Sequence, residues 1–180
     1  MKLEKALRRV RLSDYRALRS QKRYLKIFGL MKGLPRTFYL KCLSKKSDSN
    51  LLDFLRRIRK FYYQKATRHA RSFKESRFLT AQEILKRKIQ SCGSICTIAG
   101  AVLRGNNIPI KLVHAKIRGK DDDNHRHSWL KIYNPLNKKW LDVDLTNSYL
   151  TTYAEVSHAY PFKTYRDWSE LKSDYKKGKW

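Results

Sequence analysis

The sequence is short of several residue types that mark whole classes of protein. Its 180 residues include only 3 Cys, 7 Gly and 4 Pro, too few for a disulfide framework, a collagen-like repeat or a Pro-rich low-complexity chain. No apolar run approaches the roughly 20 residues of a membrane-spanning helix. Charged residues such as Lys2, Glu4 and Lys5 interrupt the start, so we expect no signal peptide. These absences predict a cytoplasmic protein without a transmembrane segment.

Acidic residues are also scarce. The chain has 15 Asp and Glu against 42 Lys and Arg, which gives a formal net charge of +27. The excess is uneven, because residues 1–80 hold 24 Lys and Arg and 5 Asp and Glu, whereas residues 81–180 hold 18 and 10. A hydrophobic fraction of 41% still suffices for a core and argues against wholesale disorder. The chain is therefore predicted to have a strongly basic first part and a more balanced second part.

The basic part is predicted to be helical. Leu51, Leu55, Ile58 and Tyr62 follow a spacing typical of one helix face, and Ser13 can cap an earlier helix with a similar apolar stripe. Lys and Arg interleaved with aromatic residues can bind nucleic acid, another polyanion or an anionic membrane surface. They can equally form a solvated face on helices that pack against a core.

The second part changes from helices to strands. Thr80-Ala81-Gln82-Glu83 has the sequence of a capping box, and a further helix is predicted to begin near Cys92. The apolar residues of 108–113, 127–133 and 140–145 then follow patterns typical of strands, and a turn-rich stretch joins the last two runs. The predicted fold class is α+β, with helices followed by an antiparallel sheet.

The predicted hairpin brings chemically useful side chains together. Placing Tyr133 opposite Trp140 makes His127, Asp142 and Asp144 project from the same face of the sheet. An imidazole and a carboxylate then come within reach of each other.

Cys92 adds a third group to this pair. At the first turn of a helix the macrodipole and unsatisfied backbone N–H groups favour the thiolate. A neighbouring imidazolium lowers the pKa of a thiol further, and a carboxylate fixes the histidine tautomer. These residue types predict a Cys-His-Asp catalytic triad, with Asp142 and Asp144 both able to supply the acid.

Three separated stretches resemble the core of the transglutaminase-like superfamily, which has a papain-like Cys-His-Asp site. They read TAQEILKRKIQSCGSICTIAGAVLRGNNIPIKLV, HSWLKIY and WLDVDLT, and together they span about residues 79–150. The family pattern has a G-x-C nucleophile that opens a helix, an H-A-W strand and a W-x-x-x-D-P-T strand. The resemblance implies that Cys92 is the nucleophile, His127 the base and Asp144 the orienting acid.

The sequence departs from the family pattern at three places. The family usually has Gly two residues before the cysteine, where this sequence has Gln90. It also usually has the Gly of a G-I-P segment where Asn107 stands, and the Pro of D-P-T where Leu145 stands. The substitutions at Gln90 and Leu145 leave the triad chemistry intact but obscure the subfamily. The backbone N–H of Cys92 is a natural first donor to an oxyanion, and no second donor is identified by the sequence.

The same residues allow other interpretations. His125 could replace His127 through a strand shift of two residues, and Asp142 could replace Asp144. Cys96 is expected to be a small buried hydrophobe. The two cysteines of the helix and the two histidines could nominally bind zinc, but Cys-x-x-x-Cys is a helical spacing and not that of a zinc knuckle. The run 121–124 lacks the spaced ligands of an EF-hand loop, so we expect no metal. The family resemblance implies no organic cofactor.

The predicted function is that of a thiol-dependent hydrolase or acyltransferase acting on an amide or peptide carbonyl through an acyl-enzyme. Its substrate would be a protein or peptide, with hydrolysis as the default outcome. The expected segments are a basic helical N-terminal region (1–78), a transglutaminase-like catalytic core (79–160) and a basic C-terminal tail (161–180). The alternative is an inactive scaffold whose basic arm, 1–78, binds nucleic acid or another polyanion.

Overall fold

The structure, a computed structural model, describes residues 2–15, 50–118, 124–146 and 162–178. The α-helices within these ranges are α1 (Lys2–Arg9), α2 (Leu51–Lys65), α3 (Phe73–Arg77), α4 (Ala81–Arg87), α5 (Cys92–Gly105) and α6 (Trp168–Lys176). The strands are β1 (Arg68–His69), β2 (Ile89–Gln90), β3 (Ile110–Arg118), β4 (Asn124–Asn134), β5 (Lys139–Val143) and β6 (Phe162–Tyr165). A short 3-10 helix spans Leu12–Tyr15.

A four-stranded antiparallel sheet forms one layer of the molecule. Its strand order is β5-β4-β3-β6, and β1 pairs with β2 in a separate short parallel ladder. Tyr133 lies opposite Trp140, so the predicted hairpin register is confirmed. Helices followed by this sheet confirm the α+β class.

The helices α2 and α5 show why the sequence patterns predict them. In α2 the buried residues include Leu51, Leu55, Ile58 and Tyr62, which are the four positions of the predicted apolar stripe. Helix α5 is apolar over most of its surface and is buried from Gly93 onward to Arg104, because it lies between the sheet and the other helices. The predicted capping box before α4 is also present, with Thr80 and Glu83 bonded reciprocally.

One hydrophobic core joins the described residues of the basic part to those of the second part. Leu7 of α1, Phe54 of α2, Ile98 of α5 and Leu112 of β3 all belong to it and are 0% exposed. The core therefore contains residues from both sides of the boundary predicted after residue 78. That boundary remains a prediction. Residues 16–49 of the basic arm, which hold all but the start of the helix predicted after Ser13, lie outside the described residues.

The last described segment contains a strand and a helix that the charge-rich sequence does not indicate. Within the predicted basic C-terminal tail, residues 162–178 form β6, which pairs with β3, and α6, which Asp167 caps. Trp168 is 0% exposed, and its indole N–H donates to the carbonyl of Gly93 at 3.3 Å. Of the helices in the described ranges, none has the length and apolar character needed to cross a membrane.

Candidate active site

Cys92 is the first residue of α5, and the chain around it fixes that position. The Ser91 hydroxyl caps the helix by accepting the Ser94 N–H at 3.0 Å. The Tyr62 hydroxyl of α2 accepts the Ser91 N–H at 3.1 Å and donates to the Ile89 carbonyl at 3.0 Å. Cys92 is partly exposed, and as the first residue of the helix it lies at the positive end of the helix dipole.

His127 of β4 and Asp144, the residue that follows β5, form a close pair. The Nε2 atom of His127 lies 2.8 Å from Oδ2 of Asp144, whose side chain is 0% exposed. The other oxygen, Oδ1, accepts the Thr146 backbone N–H at 2.8 Å and the Thr146 hydroxyl at 2.7 Å. Both carboxylate oxygens are therefore bonded, which fixes the direction in which Asp144 faces the imidazole.

Cys92 and His127 are hydrogen-bonded to each other, and each shifts the pKa of the other. Burial alone would raise the pKa of the Cys92 thiol, but the hydrogen bond with His127 and the charge of Arg77 outweigh burial and lower this pKa to about 7. Burial would lower the pKa of His127, but the hydrogen bonds to Asp144 and Cys92 raise it to about 9. Between these values the pair is a thiolate and an imidazolium.

The geometry also assigns the two imidazole nitrogens. Since Nε2 of His127 faces Asp144, the nitrogen left to face the Cys92 sulfur is Nδ1. The ring stacks on Trp129 with an interplanar angle of 22° and a centroid separation of 6.2 Å. The imidazole is thus held on one side by a carboxylate and along its face by an indole.

Arg77 is a component of the site that sequence reasoning missed. Its side chain comes from the last residue of α3, and Nη2 lies 3.2 Å from the Cys92 sulfur. The residue is only 4% exposed, and its pKa is lowered, chiefly by burial. It precedes Cys92 by 15 residues in the chain and carries no local motif, so only the packing of α3 against α5 reveals its role.

The alternative residues are placed differently. Asp142 accepts from the Trp129 indole at 2.7 Å and from Lys131 at 2.8 Å, so both of its oxygens have partners other than His127. Cys96 is 1% exposed, and burial raises the pKa of its thiol well above the usual value. The backbone of His125 pairs with Ile117, and its side chain lies outside what the structure describes.

Helix α2 also supports the segment that follows β5. The Arg59 guanidinium donates to the Leu145 carbonyl at 3.1 Å, and the Tyr63 hydroxyl donates to the Thr146 carbonyl at 3.3 Å. Together with Tyr62, which bonds to Ser91 just before α5, these residues give α2 contacts to the segments that carry Cys92 and Asp144. A helix of the basic part therefore helps to position the site.

The same side chains bear on metal binding. Within residues 2–15, 50–118, 124–146 and 162–178, no group of three or more His, Cys, Asp or Glu side chains could hold a metal ion. Cys92 and His127, two of the nominal zinc ligands, instead bond to each other. Most of the 121–124 run lies outside these ranges.

Comparisons with known proteins match this geometry at the level of the fold and the family. The model of the transglutaminase-like superfamily matches residues 40–145, a range that includes α2 as well as the candidate site residues. The structure is similar to that of a candidate cysteine protease from Cytophaga hutchinsonii, with a TM-score of 0.62 and 15% identity. The match covers 92% of this chain but 53% of the other, so this chain spans about half the length of that protein. No curated protein matches the sequence significantly.

Proposed function

The chain belongs to the transglutaminase-like superfamily, and on that premise we propose that it is a papain-like thiol enzyme that acts on an amide or peptide carbonyl through Cys92, His127 and Asp144. The single observation that carries this proposal is the bonded series Cys92–His127–Asp144, in which the thiol pKa is lowered to about 7 and the imidazole pKa is raised to about 9. A cysteine with a merely structural role has no need of an imidazolium partner.

The first half of the proposed reaction forms an acyl-enzyme. The Cys92 thiolate attacks the carbonyl carbon, so that a C–S bond forms and the C=O electron pair moves to oxygen. When the C=O bond reforms, the C–N bond breaks, and the imidazolium of His127 gives its proton to the departing amine. The products are a thioester on Cys92, a neutral imidazole and a free amine.

The second half releases the acyl group. Neutral His127 accepts a proton from water as the water oxygen attacks the thioester, and the proton returns to the sulfur or stays on the imidazole as the C–S bond breaks. Asp144 keeps the imidazole in one orientation and stabilises its charged form. An amine in place of water would give acyl transfer, and the side-chain amide of Gln as substrate would give deamidation. Hydrolysis of peptides is the outcome we propose, because water is always available.

The sequence also allowed an inactive scaffold whose basic arm, 1–78, binds nucleic acid or another polyanion. Residues 16–49 of that arm lie outside the described ranges, and in the described part the basic helix α2 contributes to the core and to the site. The polyanion proposal is therefore kept only as an outcome of the test. A reactive thiolate needs a reducing compartment to stay free, which agrees with the cytoplasmic location that we propose.

The test is a search for acyl transfer by the intact chain. The protein is incubated with a diverse peptide mixture, with and without hydroxylamine as a competing nucleophile, and the products are identified by mass spectrometry. Cleaved, deamidated or hydroxamate-bearing peptides are expected with the wild type and with Cys96→Ala, but not with Cys92→Ala. If no such product forms, and Cys92 also reacts no faster with iodoacetamide than Cys96 does, the proposal is wrong and binding of an oligonucleotide should be measured next.

A further inference from the structure

Arg77 lies where a charged group directly affects the chemistry of Cys92. Its Nη2 atom is 3.2 Å from the sulfur, and its Nε atom donates to the Ser128 hydroxyl at 3.2 Å. Nη2 also donates to the backbone carbonyl of Arg126 at 3.3 Å. Because Ser128 and Arg126 flank His127 on β4, the guanidinium bridges the helix that carries the sulfur and the strand that carries the imidazole.

The fold fixes α3 against the first turn of α5 through the glycine that follows Cys92. A Cβ atom at Gly93 would lie 2.5 Å from the Ser76 carbonyl oxygen and 2.6 Å from Cγ of Arg77, which is far too close for any side chain. The Ser91 and Ser94 hydroxyls lie 3.1 Å and 3.3 Å from the same carbonyl oxygen and can donate to it. The close approach that Gly93 allows is what brings Arg77 beside the sulfur.

Burial of Arg77 is costly unless a negative charge lies close to it. The Cys92 thiolate provides that charge at hydrogen-bond distance, and Arg77 in turn lowers the pKa of the thiol. The charged groups around the sulfur are then Arg77 on the α3 side and His127 on the β4 side, with Asp144 beyond the imidazole. Two cations from different elements therefore face one sulfur.

We propose that Arg77 is a catalytic residue, which stabilises the resting thiolate of Cys92 and then donates to the oxyanion when the carbonyl is attacked. This inference rests on the proposed function and supplies the second oxyanion donor that the sequence does not identify. As the C–S bond forms, the negative charge moves from the sulfur to the carbonyl oxygen, which is only two bonds away. The Nη2–H group that faces the sulfur then faces the new charge, and no proton has to move.

The planar guanidinium suits this role better than an ammonium group would. All three guanidinium nitrogens already have partners. Nε bonds to Ser128, Nη1 bonds to Ser76, and Nη2 bonds to Cys92 and Arg126. A donor that is held in place before the reaction stabilises the transition state without a reorganisation cost. Lysine at this position would keep the charge but lose the fork of N–H groups.

Two reagents that attack the same sulfur separate the two roles. Iodoacetamide alkylates Cys92 by displacement and forms no oxyanion, whereas p-nitrophenyl acetate acylates it through a tetrahedral oxyanion. For Arg77→Gln we expect the pH midpoint of alkylation to rise. At equal thiolate fraction we also expect acylation to fall by about 10²-fold, whereas alkylation should change by no more than about twofold.

The controls separate chemistry from folding. Arg87→Gln removes one positive charge from a side chain at the end of α4 that is 53% exposed and lies 4.0 Å from Glu83, and it should leave the ratio of acylation to alkylation unchanged. If circular dichroism shows that Arg77→Gln does not fold, Arg77→Lys takes its place. For Arg77→Lys we expect a pH midpoint of Cys92 alkylation near that of the wild type and a lower ratio of acylation to alkylation.

Three results would overturn the inference, and a fourth concerns the proposed function. The inference is wrong if acylation and alkylation fall by the same factor, if neither changes, or if Arg87→Gln lowers the ratio of acylation to alkylation as much as Arg77→Gln does. If wild-type Cys92 reacts with neither reagent faster than Cys96 does, the proposed function itself fails, whatever the Arg77 variants do.

Discussion

The two cysteines of α5 lie one helical turn apart and differ in the properties that control thiol chemistry. Cys92 is partly exposed, bonded to His127 and 3.2 Å from Arg77, and the pKa of its thiol is lowered to about 7. Cys96 is 1% exposed, and burial raises the pKa of its thiol. The helix and the residue type are the same. The lowered pKa of Cys92 therefore comes from its place at the first turn of the helix and from the elements that meet that turn, namely α3 and β4.

Removing each sulfur in turn sharpens this comparison most. We expect Cys92→Ala to abolish acylation by p-nitrophenyl acetate and turnover of any peptide substrate, because the attacking atom is gone. Cys96→Ala should retain both reactions within about twofold and lower the free energy of unfolding by about 1 kcal/mol, since it removes one buried sulfur. Kinetic assays and thermal unfolding of the two variants check this. If Cys96→Ala loses activity while its fold stays intact, Cys96 and not Cys92 carries the reaction.

A second comparison is between the carboxylates of Asp144 and Asp142, which lie two residues apart at the end of the hairpin. Asp144→Asn removes the charge that helps to raise the pKa of His127 to about 9, so this pKa should fall and the pKa of Cys92 should rise. The proposed reaction needs a deprotonated thiol, present above about pH 7, and a protonated imidazole, present below about pH 9. The rate of the wild type should therefore follow a bell-shaped pH profile between these values.

For Asp144→Asn the pH range of activity should narrow at both its acidic and its basic limit. The maximum rate should fall by about 10²- to 10⁴-fold. Asp142→Asn is the matched control, because it removes the same charge from a carboxylate that is bonded to Trp129 and Lys131. Its profile should keep the wild-type limits. A profile that changes in Asp142→Asn and not in Asp144→Asn would reverse the assignment of the acid.

A smaller change tests whether α3 creates the difference between the two cysteines. In Gly93→Ala the new methyl group would lie 2.5 Å from the Ser76 carbonyl oxygen, so α3 has to move away from α5. We expect the free energy of unfolding to fall by about 1–3 kcal/mol. The alkylation midpoint of Cys92 should rise, because Arg77 moves with α3, whereas Cys96 should remain unreactive. An unchanged midpoint in a folded Gly93→Ala protein would show that Arg77 does not set the pKa of Cys92.

Much of this arrangement can be predicted from local patterns. The spacing of Leu51, Leu55, Ile58 and Tyr62 predicts α2, because one apolar face is enough to bury a helix. The hairpin register follows from strand alternation around a short turn, and it brings His127 near Asp144 before any loop is considered. The resemblance to the transglutaminase-like superfamily then distinguishes Asp144 from Asp142.

The rest depends on contacts between segments distant in the chain. Arg77 reaches Cys92 only because a five-residue helix packs on Gly93, and no periodicity reports such a contact. Tyr62 and Arg59 fit an amphipathic pattern, yet their polar atoms hold Ser91 and Leu145 in place. Residues 162–178 are rich in charge, which hides the capped helix and the buried Trp168. A local pattern predicts which face is buried but not which polar atoms meet there.

The most direct measurement is the rate of iodoacetamide alkylation of the wild-type protein as a function of pH, mapped to Cys92 and Cys96 by mass spectrometry. Alkylation of Cys92 should rise with pH through a midpoint near 7, well below the ~8.5 of a free thiol, whereas Cys96 should stay unlabelled while the protein is folded. A midpoint of about 8.5 or above for Cys92, or equal labelling of the two cysteines, would contradict the central claim that the first turn of α5 holds an activated thiolate.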